Sequence, residues 1–231
     1  MDEAQAASAG KPVRLAVFDF DGTSIDGNSP VLLVEHLVRH KLIRKRVASR
    51  IALWGLAYKL RLPQNESWVR GLVFTAFEGK PVAQVDEYLA RFYDTHIAKL
   101  FRPEADAAMR KHAAAGHVVV VVSATFEPII LRAMSHHPFE HEAATRMKAA
   151  PNGTYTCEVE GLPVEGAEKL VAVTRLADGL YGAGNWLIDS AYGDHHSDRE
   201  IIGAAEHSYC VNPDRPLARL ARQKGWDILT W

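Results

Sequence analysis

The chain has little cysteine: Cys157 and Cys210 are its two, far apart and without metal-ligand spacing, so neither a disulfide framework nor a zinc site is indicated. A reducing cytoplasm is the compartment this implies. The chain also lacks an excess of charge of either sign, with a formal net charge of -1. That balance excludes a nucleic-acid binder that works by neutralising many phosphates, and it leaves a small molecule as the default partner. Long hydrophobic runs are missing as well. The longest membrane-like stretch, Ile51 to Leu60, is far shorter than the roughly 20 apolar residues a spanning helix needs, and it contains Lys59. No transmembrane segment is expected. The opening MDEAQAASAGK holds acidic residues and no apolar block, so it does not read as a secretory signal, and residues 1–10 are expected to be flexible. There is no internal repeat and no low-complexity tract.

What is present is a chain of 231 residues, long enough for one large core or for a core with a smaller insertion. Val13 to Phe20 (VRLAVFDF) is a short apolar run ending in acidic residues and a glycine, as expected of a strand buried on both faces. His117 to Ser123 (HVVVVVS) is a second such run, preceded by a helical pattern over Pro103 to Ala115 that Gly116 is placed to stop. Asn185 to Ser190 is a third, and His207 to Val211 and Asp227 to Thr230 are weaker ones. This alternation predicts an α/β fold with an open, mainly parallel, Rossmann-like sheet and flanking helices. The long, mostly helical stretch between the first two strands exceeds what one crossover requires. Residues 28–101 are therefore expected to be an inserted helical cap, and 11–27 with 102–231 the catalytic core. Asn152-Gly153, between two partly alternating segments in 143–161, predicts a hairpin.

Asp19 and Asp21 stand two apart at the end of the first strand, a spacing that sends both carboxylates to one side of an extended chain. In an open α/β sheet, ligands bind beyond the carboxyl ends of the strands, and Gly22 allows a sharp turn there. Taken alone, Asp19, Asp21, Gly22 and Thr23 also fit an ordinary strand-ending turn. A second acidic cluster, Asp194 and Asp198, follows the third strand in Gly193-Asp194-His195-His196-Ser197-Asp198. Magnesium needs near-octahedral oxygen ligands and keeps waters plus a substrate phosphate, so carboxylates from two neighbouring strand ends suffice. The candidate ligands are Asp19, Asp194 and the main-chain carbonyl at Asp21, with Asp198 in support. Asp198 also fits the acidic first turn of a helix.

These residues carry a resemblance. VFDFDGTSIDG, VVVVVSAT, Glu165-Gly166-Ala167-Glu168-Lys169 and AYGDHHSDRE resemble, in order, the four motifs of haloacid dehalogenase-like phosphatases. The match spans nearly the whole core and is nearest to the phosphoserine-phosphatase-like branch (subfamily IB type), whose cap is also inserted between the first two motifs. The resemblance implies Mg2+ as cofactor, Asp19 as a transiently phosphorylated nucleophile and Asp21 as general acid and base. It also implies that Lys169 offsets phosphate charge and that Ser123 donates to a phosphate oxygen. Thr23 and Gly22 fall at the phosphate as well, and Thr23 serves equally to tie the turn. His195 and His196 read as exposed loop residues.

Specificity is expected from the cap, since the core motifs recognise only the phosphate and its metal. Where phosphoserine phosphatases place a glutamate for the substrate amine, this chain has Asn28, a departure that argues against phosphoserine itself. Arg70 is the candidate cap residue facing the substrate. The segment from Arg39 to Arg61 interleaves basic residues with an apolar stripe, a pattern shared by solvated cap helices and by helices that rest on anionic membrane. A small phosphate monoester is the expected substrate. Lipid-phosphate hydrolysis, a phosphomutase using the same nucleophile and a phosphorylated signalling module are the alternatives; the large cap and Asp21 argue against the last.

Overall fold

The computed structural model describes residues 11–42 and 73–231. Its strands are β1 (Val13–Asp19), β2 (Val118–Phe126), β3 (His141–Thr145), β4 (Met147–Ala149), β5 (Tyr155–Val159), β6 (Trp186–Gly193), β7 (His207–Val211) and β8 (Asp227–Leu229). Six of them form one sheet in the order β3-β2-β1-β6-β7-β8, with every neighbouring pair parallel. The valine run of β2 favours this arrangement because β-branched side chains suit extended backbone. Its alternate residues enter opposite cores. Val119 and Val121 join Ala16 and Phe18 on one face, whereas Val120 and Val122 join Leu15 and Val17 on the other. Burial on both faces is what helices above and below a parallel sheet demand.

The helices are α1 (Ser29–Arg39), α2 (Val82–Phe92), α3 (Pro103–Ala114), α4 (Glu127–Met134), α5 (Ala167–Tyr181), α6 (Arg199–Gly203) and α7 (Arg215–Lys224), and residues 73–77 add a short helical turn. Met109 of α3 and Ile129 of α4 cover one sheet face together with α1 and α2; Val173, Ile201 and Leu217 of α5 to α7 cover the other. Gly116, at φ +81°, follows α3 where the pattern required a stop.

Two strands run further than their sequence suggests. β2 continues past Ser123 to Phe126, where pairing with Thr145 extends the ladder. β6 continues past Ser190 to Gly193 because Ala191 and Tyr192 pair with Val17 and Phe18 of β1 and with Ser208 and Tyr209 of β7. Tyr192 stacks on Phe18 at 4.2 Å between ring centres. The polar and aromatic tail of that run therefore delivers Asp194 directly to the sheet edge.

Beyond Asp26 the chain leaves the sheet region and returns at Leu100 to Arg102. The two crossings lie side by side: the Asp26 amide donates to the Leu100 carbonyl at 2.8 Å, and the Arg102 amide to that of Ser24 at 2.9 Å. The intervening helices share one apolar cluster with the sheet, Leu33, Leu37, Val85 and Leu89 lying with Phe18 and Val121. Between α2 and α3 the chain makes a π turn (Tyr93–Ile97) and a 3-10 turn (Ala98–Leu100). The antiparallel hairpin β4-β5 turns at Asn152 and Gly153, as its sequence predicts. It bonds to the helical insertion, with the Val82 amide donating to Gly153 and the Tyr155 hydroxyl to Asp86 at 2.7 Å. Arg70 and most of the basic stretch from Arg39 to Arg61 lie outside the described residues.

Leu15 is 1% exposed in the second core and Leu162 is 67% exposed. Leu15→Ala is expected to cost about 2–5 kcal/mol in urea unfolding, and Leu162→Ala less than about 0.5 kcal/mol. Equal effects would contradict the assignment of Leu15 to a packed core.

Candidate active site

The carboxyl ends of β2, β1 and β6 are adjacent, and the acidic residues that follow them meet there. Asp19 ends β1, Asp194 follows β6, and Asp198 closes a 3-10 turn (His196–Asp198) just beyond. One carboxylate oxygen from each of these three lies within 4.8 Å of the others. Gly22 makes this approach possible. Its φ is +77°, and a Cβ there would stand 2.2 Å from Asp194 Oδ2, so any side chain would displace the Asp194 carboxylate. Thr23 donates to Asp194 Oδ1 at 3.3 Å, which ties the turn after β1 to the end of β6.

Lys169, in the first turn of α5, is buried and reaches both Asp19 Oδ1 and Asp198 Oδ1 at 2.6 Å. Burial alone would lower its pKa, but the two carboxylates outweigh burial and hold the ammonium above its ordinary value. Asp19 is pushed well above the usual carboxylate range by burial; Lys169 opposes the shift, and Asp198 and Asp194 add to it. Asp194 is pushed up to about 6, again by burial first and then by Asp198. Among the described residues, three clustered carboxylates against one ammonium leave an excess of negative charge in a hard, all-oxygen donor set. That set suits Mg2+ rather than a softer ion, so the residues present fit the metal that the sequence resemblance implies.

Asp21 sits beside Asp19 in a different environment. Thr125 donates its hydroxyl to Asp21 Oδ2 at 2.7 Å and the Ser29 amide donates to Oδ1 at 2.5 Å. The Ser29 and Thr125 hydroxyls are also bonded to each other, at 2.5 Å. Burial raises the Asp21 pKa, and the bonds from Ser29 and Thr125 only partly offset it. Ser123 is buried next to this group, and its hydroxyl accepts from the Thr125 amide at 3.0 Å. The cavity wall at this strand end is made by Ala124, Thr125 and Phe126. Ser123, expected at the phosphate, does not itself line this cavity, whereas Thr125 and Ser29, which bond Asp21, were not singled out from the sequence. The signal for Thr125 was its place two residues after Ser123 on a strand; Ser29 carried none.

A cavity of about 300 Å3 opens over these groups, with Asp19, Asp21, Lys169 and Asp194 at its floor and Val31, Leu33, Val73, Phe126 and Ile129 along an apolar wall. Asn28, placed by sequence at the substrate, lines it too, although its side chain accepts from the Val31 amide at 3.0 Å as the cap of α1. His195 is exposed as expected, yet it borders the cavity, and its ring accepts from the Ser197 amide at 3.3 Å. His196 is partly buried rather than exposed.

A family model described as haloacid dehalogenase-like hydrolase matches residues 16–202. The chain belongs to that family. Its enzyme class is that of a phosphatase of the haloacid dehalogenase-like superfamily. Among its relatives is a protein named histidinol-phosphatase from Neisseria meningitidis serogroup C, 26% identical, covering 94% of this chain and 99% of that one. Among solved structures, a Bordetella pertussis protein with unknown function superposes with a TM-score of 0.82 at 22% identity, covering 95% and 99% of the two chains. A phosphoserine phosphatase carrying a phospho-aspartyl intermediate analogue superposes with a TM-score of 0.60 at 18% identity, covering 96% and 94%. At such identities the two structures establish a shared haloacid dehalogenase-like fold.

Lys169→Met removes the cation bonded to the buried carboxylates of Asp19 and Asp198. It is expected to lower stability by about 3–5 kcal/mol when unfolding is measured without divalent ions. Stability within about 0.5 kcal/mol of the wild type would mean that the ammonium does not hold the strand ends together.

Proposed function

We propose that the chain is a magnesium-dependent phosphomonoester hydrolase that passes through a phosphorylated Asp19 and acts on a small phosphorylated metabolite in the cytoplasm. The observation that carries this reading is the contrast between two neighbouring carboxylates. Asp19 is bonded to a buried ammonium, whereas Asp21 is held by two neutral donors, a hydroxyl and an amide. Environments that separate two carboxylates in this way suit one to attack and the other to carry a proton.

In the first step an Asp19 oxygen forms a bond to phosphorus while the ester oxygen leaves with the proton of Asp21. In the second, Asp21, now ionised, takes a proton from water as that water attacks phosphorus; the bond to Asp19 breaks and inorganic phosphate departs. Lys169 and Ser123 are assigned to the phosphoryl oxygens, with Arg70 as a further contributor from the cap. Asp19, Asp194 and the main-chain carbonyl at Asp21 would hold Mg2+, which supplies positive charge against the transferring phosphoryl group. Asp198 supports the set by fixing Lys169. Thr125 and Ser29 are positioning residues that aim Asp21.

Residues 28–101 act in this proposal as a cap, and 11–27 with 102–231 as the core. Three features support that division: the paired crossings at Ser24–Asp26 and Leu100–Arg102, the apolar cavity wall that α1 contributes, and the shared fold of the phosphoserine phosphatase structure. The apolar wall favours a phosphate ester with a compact hydrophobic or aromatic body, and the relative named histidinol-phosphatase makes histidinol phosphate a natural first probe.

The test is phosphate release from a panel containing histidinol phosphate, phosphoserine and a lysophosphatidic acid, with and without magnesium. Asp19→Asn is expected to abolish release, and Asp21→Asn to lower it by roughly 10²–10⁴-fold. Full activity in Asp19→Asn would overturn the mechanism, and organic phosphate retained in a rearranged product would indicate a mutase.

A further inference from the structure

Away from the cavity, a second group of side chains converges on the sheet. His112 comes from the last turn of α3, His117 from the connection into β2 and Asp189 from β6. The register between β1 and β6 slips there: Leu15 pairs with Ile188 and Ala16 with Ser190, so Asp189 has no β1 partner and occupies a bulge. Asp189 lies five residues before Asp194, about 16 Å along the chain at ordinary strand rise, which separates this cluster from the proposed catalytic residues.

His112 Nδ1 and His117 Nδ1 face each other at 3.0 Å, and His117 Nδ1 also faces Asp189 Oδ2 at 3.4 Å. One ligand atom from each residue lies within 4.8 Å of the other two. A proton placed among these atoms serves two of them well and the third poorly. A divalent ion with bonds near 2.0–2.1 Å serves all three, because tetrahedral ligands then stand about 3.3 Å apart. The surroundings fix the three donors in place. His112 Nε2 is bonded to the Tyr192 hydroxyl at 2.9 Å, which leaves Nδ1 as its ligand atom. Asp189 accepts from Arg14 Nε at 2.7 Å and from the Ser190 hydroxyl at 2.6 Å.

We propose that His112, His117 and Asp189 form a structural site for a borderline transition-metal ion of the Zn2+ class, distinct from the all-oxygen magnesium site. Two imidazoles and one carboxylate match that class and not Mg2+. The His117 side chain is 16% exposed, so an ion has access and water can complete the coordination. A neighbouring set, Asp189, Glu206 and His207, also brings ligand atoms together, but Arg14 already pairs with both of its carboxylates. The bound ion would clip the end of α3 and the start of β2 to the middle of β6.

Cobalt titration of the full chain, free of any added histidine tag, distinguishes the two sites by spectrum. Four-coordinate Co2+ with imidazole ligands absorbs strongly in the visible, whereas six-coordinate Co2+ in an oxygen site absorbs weakly. The expected result is one equivalent of intensely absorbing Co2+, displaced by Zn2+ and not by Mg2+, together with Zn2+-dependent thermal stabilisation. His117→Ala and His112→Ala are expected to lose the band and at least about 100-fold in Zn2+ affinity, more than the roughly 10–100-fold that outer contacts usually cost. Both variants should keep magnesium-dependent phosphate release. No intense band in the wild type would overturn the proposal, whether or not the variants fold. A band that survives in both folded variants would overturn it equally.

Discussion

The buried ammonium of Lys169 is the contact on which the rest of the site depends. It bonds to Asp19 at the end of β1 and to Asp198 beyond β6, and it is itself carried by the first turn of α5. Three elements that are distant in sequence are thereby fixed at one sheet edge. A buried charge is tolerable only when paired and hydrogen-bonded, so this arrangement constrains both sides: the carboxylates require the lysine and the lysine requires the carboxylates. The price is an excess of negative charge around Asp194, and that excess is what makes the floor of the cavity a fit for a hard divalent cation. Stability and chemistry thus rest on the same few atoms.

The position of Asp21 follows from a different constraint. Its carboxylate is aimed by Thr125 from the sheet and by Ser29 from the start of α1, and those two donors are bonded to each other. The group therefore sits where the helical insertion meets the core, and its orientation depends on both. Glycine at position 22 is required by the same crowding, since the approach of Asp194 leaves no room for a Cβ.

Much of this was legible in the sequence. Continuous valine and apolar runs marked β1 and β2, because strands buried on both faces need no alternation, and the first aspartate motif marked the end of β1. Less legible were features set by tertiary partners. The end of β6 was placed too early because Ala191, Tyr192 and Gly193 look like loop residues until Phe18 and Tyr209 flank them. Thr125 stands in the VVVVVSAT motif with no role assigned to it there and Ser29 lies outside any motif; they meet Asp21 only when β2 and the start of α1 lie beside the end of β1. The hairpin was readable from Asn152-Gly153, whereas its attachment to residues 79–82 was not, being a long-range backbone contact.

The central claim is that Asp19 carries the phosphoryl group between substrate and water. Acid quenching during turnover, followed by borohydride reduction and peptide mass analysis, measures this directly, because reduction converts an acyl phosphate on aspartate to homoserine. Homoserine at position 19, formed only with substrate and magnesium present, is the predicted result. Steady phosphate release with no homoserine at position 19, or with homoserine at another aspartate, would contradict the account.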